Sequence, residues 1–195
     1  MKRILLYFLI FMISALLAGC RGDVGSGAYI GPYGGADVFF IFSADKSSLT
    51  AQDITQINSI KNLAKNNGYL VSDYKVYDKT GFKAVKHIDN IKENDLTGLP
   101  DMIIKDGSKF ITIKKSSKDE YKLKVIADLT NMNQLIASAS EYDNLINSSL
   151  TFHFKLDLPV KAKYSNAERI YNNGKTLEWN LHTGQKNLIE ADFEM

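Results

Sequence analysis

The chain has 195 residues, the length of one folded domain with a short appendage. Its 24 lysines and arginines nearly balance 22 aspartates and glutamates, and two of the cations, Lys2 and Arg3, lie at the extreme N-terminus. The rest of the chain is therefore neutral, which excludes nucleic acid as a partner, because contacts to phosphates need a clustered excess of cations. The single cysteine excludes an intrachain disulfide.

Residues 1–19 are predicted to be a signal peptide. Of the first 20 residues, 16 are apolar, the two cations precede the apolar run, and small residues follow it. The apolar run is short for a membrane-spanning helix, which needs about 20 apolar residues. The segment therefore indicates export rather than a transmembrane anchor.

The leader ends in Leu17-Ala18-Gly19-Cys20, which resembles a bacterial lipobox. In such a motif the chain is cleaved before the cysteine, and the thiol carries a diacylglyceryl group as a thioether. We interpret Cys20 as a lipidated residue that is labelled by palmitate, rather than as a buried thiol or a catalytic nucleophile. Acyl chains contribute about 0.8 kcal/mol per buried CH₂, so two of them hold a domain stably on a membrane. The predicted location is the extracytoplasmic face of the cell membrane or envelope.

Residues 20–36 are predicted to form a flexible tether behind this anchor. Six glycines and Pro32 fall within residues 21–36, and such a segment loses much backbone entropy when it is ordered. The folded domain is accordingly expected to comprise residues 37–195.

Two helices are predicted in the folded part. Thr50 and Asp53 form a capping-box pattern, apolar residues recur at helical spacing from Ile54 to Ala64, and Gly68 provides a left-handed stop. A second apolar stripe predicts a helix over 130–146.

Strands are predicted where β-branched and aromatic residues cluster or alternate with polar ones. A hairpin turn is predicted at 78–81, with Gly81 supplying the positive φ. The predicted strands span 37–43, 69–77, 82–88, 102–105, 109–115, 121–129, 150–158, 176–181 and 188–193.

Short turns between successive strands favour antiparallel pairing, and two amphipathic helices can cover one face of a sheet. The prediction is an α+β fold with a curved antiparallel sheet and two amphipathic helices packed on one face. The other face is either solvated or curls around a cavity.

No residue set typical of catalysis or of a metal site occurs in the sequence. His87, His153 and His182 fall on different predicted elements without spaced cysteine, histidine or carboxylate companions. A nucleophile elbow, a phosphate-binding loop and a metalloprotease motif are missing as well. We therefore expect a protein that is not an enzyme and that uses neither a metal nor a cofactor.

Several apolar side chains of the predicted strands could meet on the sheet. For Trp179, packing in the core is favoured over ligand stacking, because aromatic residues dominate protein cores. Spacing alone does not separate a solid core from a pocket. The candidate ligand-lining residues are Phe39, Ile41, Phe152, Phe154, Trp179 and Phe193. Lysines that could attract anionic headgroups, or simply face solvent, are Lys61, Lys65, Lys83, Lys86, Lys161 and Lys163.

From about residue 66 onward the sequence resembles the LppM-like lipoprotein domain family. The first matching segments are NGYLV at 67–71 and GFKAVKHI at 81–88, and the second are FKLDLP at 154–159, SNA at 165–167 and NGKTLEWNL at 173–181. The resemblance implies a membrane-anchored α+β envelope domain that is not an enzyme. Lipid or glycolipid binding is suggested for some members.

Two functions are therefore considered. The first is a binding module that holds an amphipathic ligand, an envelope lipid or glycolipid. The second is a structural or interaction lipoprotein that docks a protein partner through its sheet face or edge. The sequence does not identify that partner.

Overall fold

The computed structural model describes residues 22–89, 111–115, 120–130 and 150–195. Within these ranges there is one α-helix, α1 (Ala51–Asn66), which is too short and too polar to cross a membrane. The same ranges contain eleven strands: β1 (Gly22–Ile30), β2 (Ala36–Asp45), β3 (Leu70–Val76), β4 (Lys79–Ile88), β5 (Ile111–Lys115), β6 (Glu120–Asp128), β7 (Leu150–Asp157), β8 (Tyr164–Ser165), β9 (Arg169–Tyr171), β10 (Thr176–Leu181) and β11 (Lys186–Glu194).

The strands form two sheets. The larger sheet has the order β3-β4-β2-β1-β7-β10-β9, and the smaller has the order β5-β6-β11-β8. All neighbouring strands are antiparallel except β1 and β7, which are parallel. The α+β class holds, but the prediction of one antiparallel sheet is wrong. Pairs such as β6 with β11 join strands far apart in sequence, and no local pattern signals them.

One face of the larger sheet, which we call the inner face, carries the hydrophobic core. Alternate side chains of β1, β2 and β7 point to this face, as the twofold period of a strand requires. Towards Ile30 they pack against the smaller sheet through residues such as Leu123 and Phe193. Towards Gly22 they pack against α1 through Ile57 and Ile60. Among the described residues, the opposite, outer face contributes no side chain to either buried cluster.

Helix α1 begins and ends as predicted. Thr50 Oγ1 accepts a hydrogen bond from the Asp53 N–H at 3.2 Å, and Asp53 Oδ2 accepts one from the Thr50 N–H at 2.7 Å. Gly68 follows the helix at a φ of 82°, which is the left-handed stop. The predicted strand at 102–105 lies outside the described residues. So does the second predicted helix (130–146), apart from its first residue, Thr130.

The predicted flexible tether is wrong over most of its length. Residues Gly22–Ile30 form β1, which lies inside the larger sheet between β2 and β7. Val24, Ala28 and Ile30 are buried on the inner face, so burial and two hydrogen-bonded ladders offset the entropy lost by the glycines. The ordered domain therefore includes residues 22–36, which were assigned to the tether.

The β3–β4 hairpin is confirmed, but its turn differs from the prediction. Val76 pairs with Lys79, so the turn consists of Tyr77 and Asp78, and Tyr77 adopts a φ of 54°. Gly81 lies inside β4, where a Cβ atom would collide with the backbone carbonyl of Phe42. Glycine at this position allows two strands to approach closely rather than forming the turn.

Candidate functional site

The six candidate ligand-lining residues do not line one surface. Phe39 and Ile41 lie half-buried on the outer face of the larger sheet. The other four lie in the hydrophobic core, where none is more than 7% exposed: Phe152, Phe154, Trp179 and Phe193. Strand β2 is apolar on both faces, so its sequence does not indicate which aromatic residues point inward.

Trp179 is a core residue. Its ring packs against that of Phe154 with the centroids 5.8 Å apart, and its Nε1–H donates a hydrogen bond to Asn166 Oδ1 at 2.8 Å. A buried indole needs such a partner for its N–H group. Core packing, the favoured prediction for Trp179, is confirmed.

The centre of the outer face is a strip of small or apolar residues together with one histidine. Gly25 and Gly27 of β1 have no side chains, so the His153 ring lies over Gly25 and the Phe39 ring lies over Gly27. Ile41 stands opposite Gly25 in the β1–β2 register. We call these five residues the outer-face strip. Sequence reasoning missed the two glycines, although their alternation with Val24, Ser26 and Ala28 was the available signal.

Lys83 of β4 borders the outer-face strip. Its Nζ lies 5.4 Å from the centroid of the Phe39 ring, a cation–π geometry. Within the described ranges, no carboxylate forms an ion pair with Lys83. Other cations of this face do have such partners: Lys155 pairs with Asp157 at 3.0 Å, and Arg169 pairs with Glu178 at 3.0 Å. Lys83 therefore presents a positive charge next to apolar surface.

His153 contributes polarity but no charge to the strip. Burial lowers the pKa of its imidazole, and the nearby carboxylates of Glu178 and Asp23 offset this only in part. The ring is therefore neutral at pH 7. His153 lies on the face opposite Phe152 and Phe154, where it pairs across the strands with Gly25 and Asn180. In the described part of the chain, no three histidine, cysteine or acidic side chains are grouped to hold a metal ion.

A polar group joins three strands where the outer face approaches Gly22. Asp23 of β1 accepts hydrogen bonds from Lys79 Nζ of β4 and from Thr151 Oγ1 of β7. Partial burial on its own raises the pKa of Asp23, but the hydrogen bonds outweigh it, so the pKa lies below the usual value. The bond to Asp23 raises the pKa of Lys79. This group holds the sheet together and offers no free charge to a ligand.

Comparison with known proteins identifies the fold. No protein-family model matches the sequence, and no curated protein matches it significantly. Among solved structures, the NMR structure of the folded domain of LppM from Mycobacterium tuberculosis is similar, with a TM-score of 0.54 and 18% sequence identity. The match covers 90% of this chain and 91% of the LppM chain. The chain therefore has the LppM-like domain fold that its sequence motifs predicted.

Proposed function

We propose that the protein is a membrane-anchored lipoprotein whose extracytoplasmic domain binds an envelope lipid or glycolipid on the outer face of its larger sheet. The observation that carries this proposal is the outer-face strip with Lys83 at its border. Apolar surface beside a positive charge matches a molecule with an acyl chain and an anionic headgroup. The lipobox that ends in Cys20 supports the anchor.

The contribution of each residue to the binding free energy can be estimated from how much of its surface is still exposed. Complete burial of a large apolar side chain contributes about 1.5–3 kcal/mol, and Phe39 and Ile41 are already half-buried, so each adds about 1 kcal/mol. A lysine near anionic headgroups contributes about 1 kcal/mol. No single residue dominates, so both the apolar contacts and the charge are needed for binding.

Binding can be tested with dihexanoyl phosphatidylglycerol, a short-chain anionic lipid, below its micelle concentration. Residues 20–195 carrying Cys20→Ala are titrated and followed by NMR. We expect shifts at Phe39, Ile41 and Lys83, and a Kd raised about fivefold to tenfold by Phe39→Ser or Lys83→Glu, which corresponds to about 1–1.4 kcal/mol.

Matched controls are available on other surfaces. Ile126 of the smaller sheet is 50% exposed and serves as the apolar control in Ile126→Ser. Lys175 is exposed and serves as the charge control in Lys175→Glu. Both control variants are expected to bind as the parent does. Shifts confined to other surfaces, or equal losses in test and control variants, contradict the proposed site.

The anchor has its own test. Cys20→Ala removes the only thiol that can carry the acyl chains, so we expect loss of palmitate labelling and loss of the protein from the membrane fraction. Gly19→Ala keeps a small residue before the cysteine and is expected to leave both unchanged. Palmitate labelling that persists in Cys20→Ala rules out this anchor.

A protein partner is the second candidate function. Strand β3 lies at the edge of the larger sheet, and Leu70 at its start is 80% exposed. An exposed edge strand favours docking of a partner by strand addition. Crosslinking in cells that repeatedly recovers one protein at β3, together with an absence of lipid-induced shifts, supports this function over lipid binding.

A further inference from the structure

Two turns form one tip at the end of the larger sheet where β1 begins. The first is the short 3₁₀ turn Lys46–Ser48 after β2, and the second is the turn of Tyr77 and Asp78 between β3 and β4. The Lys46 N–H donates a hydrogen bond to the carbonyl oxygen of Asp78 at 2.9 Å, which joins the two turns. We call these two turns the tip.

The two-residue turn requires a left-handed residue at position 77, but the fold does not explain why that residue is a tyrosine. Its relative exposure is 102%, and its side chain has no hydrogen bond or ring contact to any other described residue. Its φ of 54° is a left-handed conformation that glycine, asparagine or aspartate adopts with less strain. Strain retained without an internal contact suggests a contact outside the domain.

The tip lies at the same end of the sheet as Gly22. The register places Gly22 opposite Ala44, and Ala44 opposite Thr80, which directly follows the first residue of β4. Neighbouring strands are about 4.8 Å apart, so the second turn lies about 10 Å to the side of Gly22. The far end of β1 is about 27 Å away, because the strand has nine residues.

The position of the proposed anchor then determines which surface meets the membrane. Cys20 precedes Gly22 by two residues, which span at most about 7 Å of extended chain. An acyl chain on Cys20 therefore holds the start of β1 close to the lipid headgroups. The tip lies beside that point on the β2 side of β1, and the connection at 182–185 after β10 lies at the same end of the sheet on the β7 side.

We propose that the tip rests on the bilayer surface, with Tyr77 at the level of the headgroups. This inference depends on the proposed lipid anchor at Cys20. A tyrosine suits the membrane interface because its ring is apolar and its hydroxyl remains hydrated. Val76, 38% exposed, adds apolar surface, while the exposed charges of Lys46 and Asp78 offset each other, so the contact rests on Tyr77 and Val76. Strand β1 then stands upright on the membrane, and the outer-face strip is open to the side.

The chain contains a matched control for this orientation. Tyr33 is 94% exposed in the turn after β1, at the end of the sheet opposite to the tip. Cys20 is the only cysteine, and its thiol is blocked once it is lipidated. Tyr77→Cys and Tyr33→Cys therefore each introduce one reactive thiol for the environment-sensitive dye NBD.

The full lipidated protein is reconstituted in vesicles of phosphatidylcholine and phosphatidylglycerol. We expect NBD at position 77 to show blue-shifted, enhanced emission and strong quenching by lipids with a shallow nitroxide. NBD at position 33 is expected to keep the emission of a dye in water. Both variants should retain the near-ultraviolet circular dichroism of the parent, because both positions are exposed.

Vesicle flotation separates failure of the orientation from failure of the anchor. If the protein floats with the vesicles but NBD at position 77 reports water, the orientation is wrong and the anchor stands. If NBD at position 33 reports lipid as NBD at position 77 does, the domain lies flat on the membrane, and the proposed orientation is again wrong. If the protein does not float, the anchor is wrong, and the orientation that depends on it is wrong as well.

Discussion

Gly27 allows three strands to pack at the centre of the larger sheet. A Cβ atom at this position would collide with the backbone carbonyl of Lys155 on β7 and would lie 2.7 Å from Cζ of Phe39 on β2. Gly25 is different, because the three atoms nearest to a Cβ there all belong to the ring of His153, and a side chain can rotate away. The two glycines therefore have unequal importance for the fold.

We expect Gly27→Ala to destabilise the domain by about 2–3 kcal/mol, because a backbone atom cannot move aside without disturbing the β1–β7 ladder. Gly25→Ala should change the free energy of unfolding by less than about 1 kcal/mol, since alanine also reduces the entropy of the unfolded chain. Urea unfolding followed by the fluorescence of the single, buried Trp179 measures both. Equal effects of the two substitutions contradict this explanation.

For some residues of the site the sequence predicts which face of the sheet they occupy, and for others it does not. In the strand predicted at 150–158, apolar and polar residues alternate, and the structure places Phe152 and Phe154 opposite His153. In β2 the run Val38 to Phe42 is apolar at every position, so its inward and outward faces could not be distinguished. The outer-face strip could be recognised only once β1 was known to be a strand.

Among the elements, β1, β4 and β7 are linked by the polar group of Asp23, Lys79 and Thr151. Both charged side chains are about one third exposed, at 34% for Lys79 and 30% for Asp23, so water screens the ion pair in part. The link supplements the backbone ladders of these strands, and its contribution depends on the charge of Asp23.

That dependence predicts how stability changes with pH. The pKa of Asp23 is lowered in the folded state, so its stabilising contribution is complete above the ordinary aspartate pKa of about 3.9 and is lost as pH falls through the folded-state pKa. We expect Asp23→Asn to destabilise the protein near pH 6 by on the order of 1 kcal/mol. The difference from the parent should shrink below about pH 4.

Urea unfolding of the parent and of Asp23→Asn at several pH values between about 2 and 6 measures this difference. Asp73→Asn is a suitable control, since Asp73 also pairs with a lysine, Lys61 at 2.6 Å, but is 62% exposed. Its effect on stability should be smaller at every pH. A difference between Asp23→Asn and the parent that stays constant down to pH 2 contradicts the role of the Asp23 charge.

Elements with strong local patterns were predicted well. The capping box and the glycine stop defined α1, and strict alternation defined β7 within one residue of its observed end. Strand β1 was missed because its glycines resemble a linker, and because its stabilising partners are β2 and the distant β7. Strands β8 and β9, with two and three residues, are too short to produce a pattern.

At the scale of the whole molecule, the α+β class followed from the sequence but the division into two sheets did not. Local alternation tells which residues of a strand face inward, whereas sheet membership depends on which distant strands pair. Here β6 pairs with β11. Strands β7 and β10 lie between these two in the chain, yet both join the other sheet. The pairing of distant strands, which the structure shows, supplies the arrangement that local patterns lack.

The place of β1 inside the larger sheet also determines how the domain responds to mechanical force. A pull on the residues before Gly22 acts along β1, which is hydrogen-bonded to β2 on one side and to β7 on the other. Both ladders are loaded in shear, so their hydrogen bonds resist together instead of unzipping one at a time. We therefore expect β1 to resist a force applied along it from Gly22 better than an edge strand would.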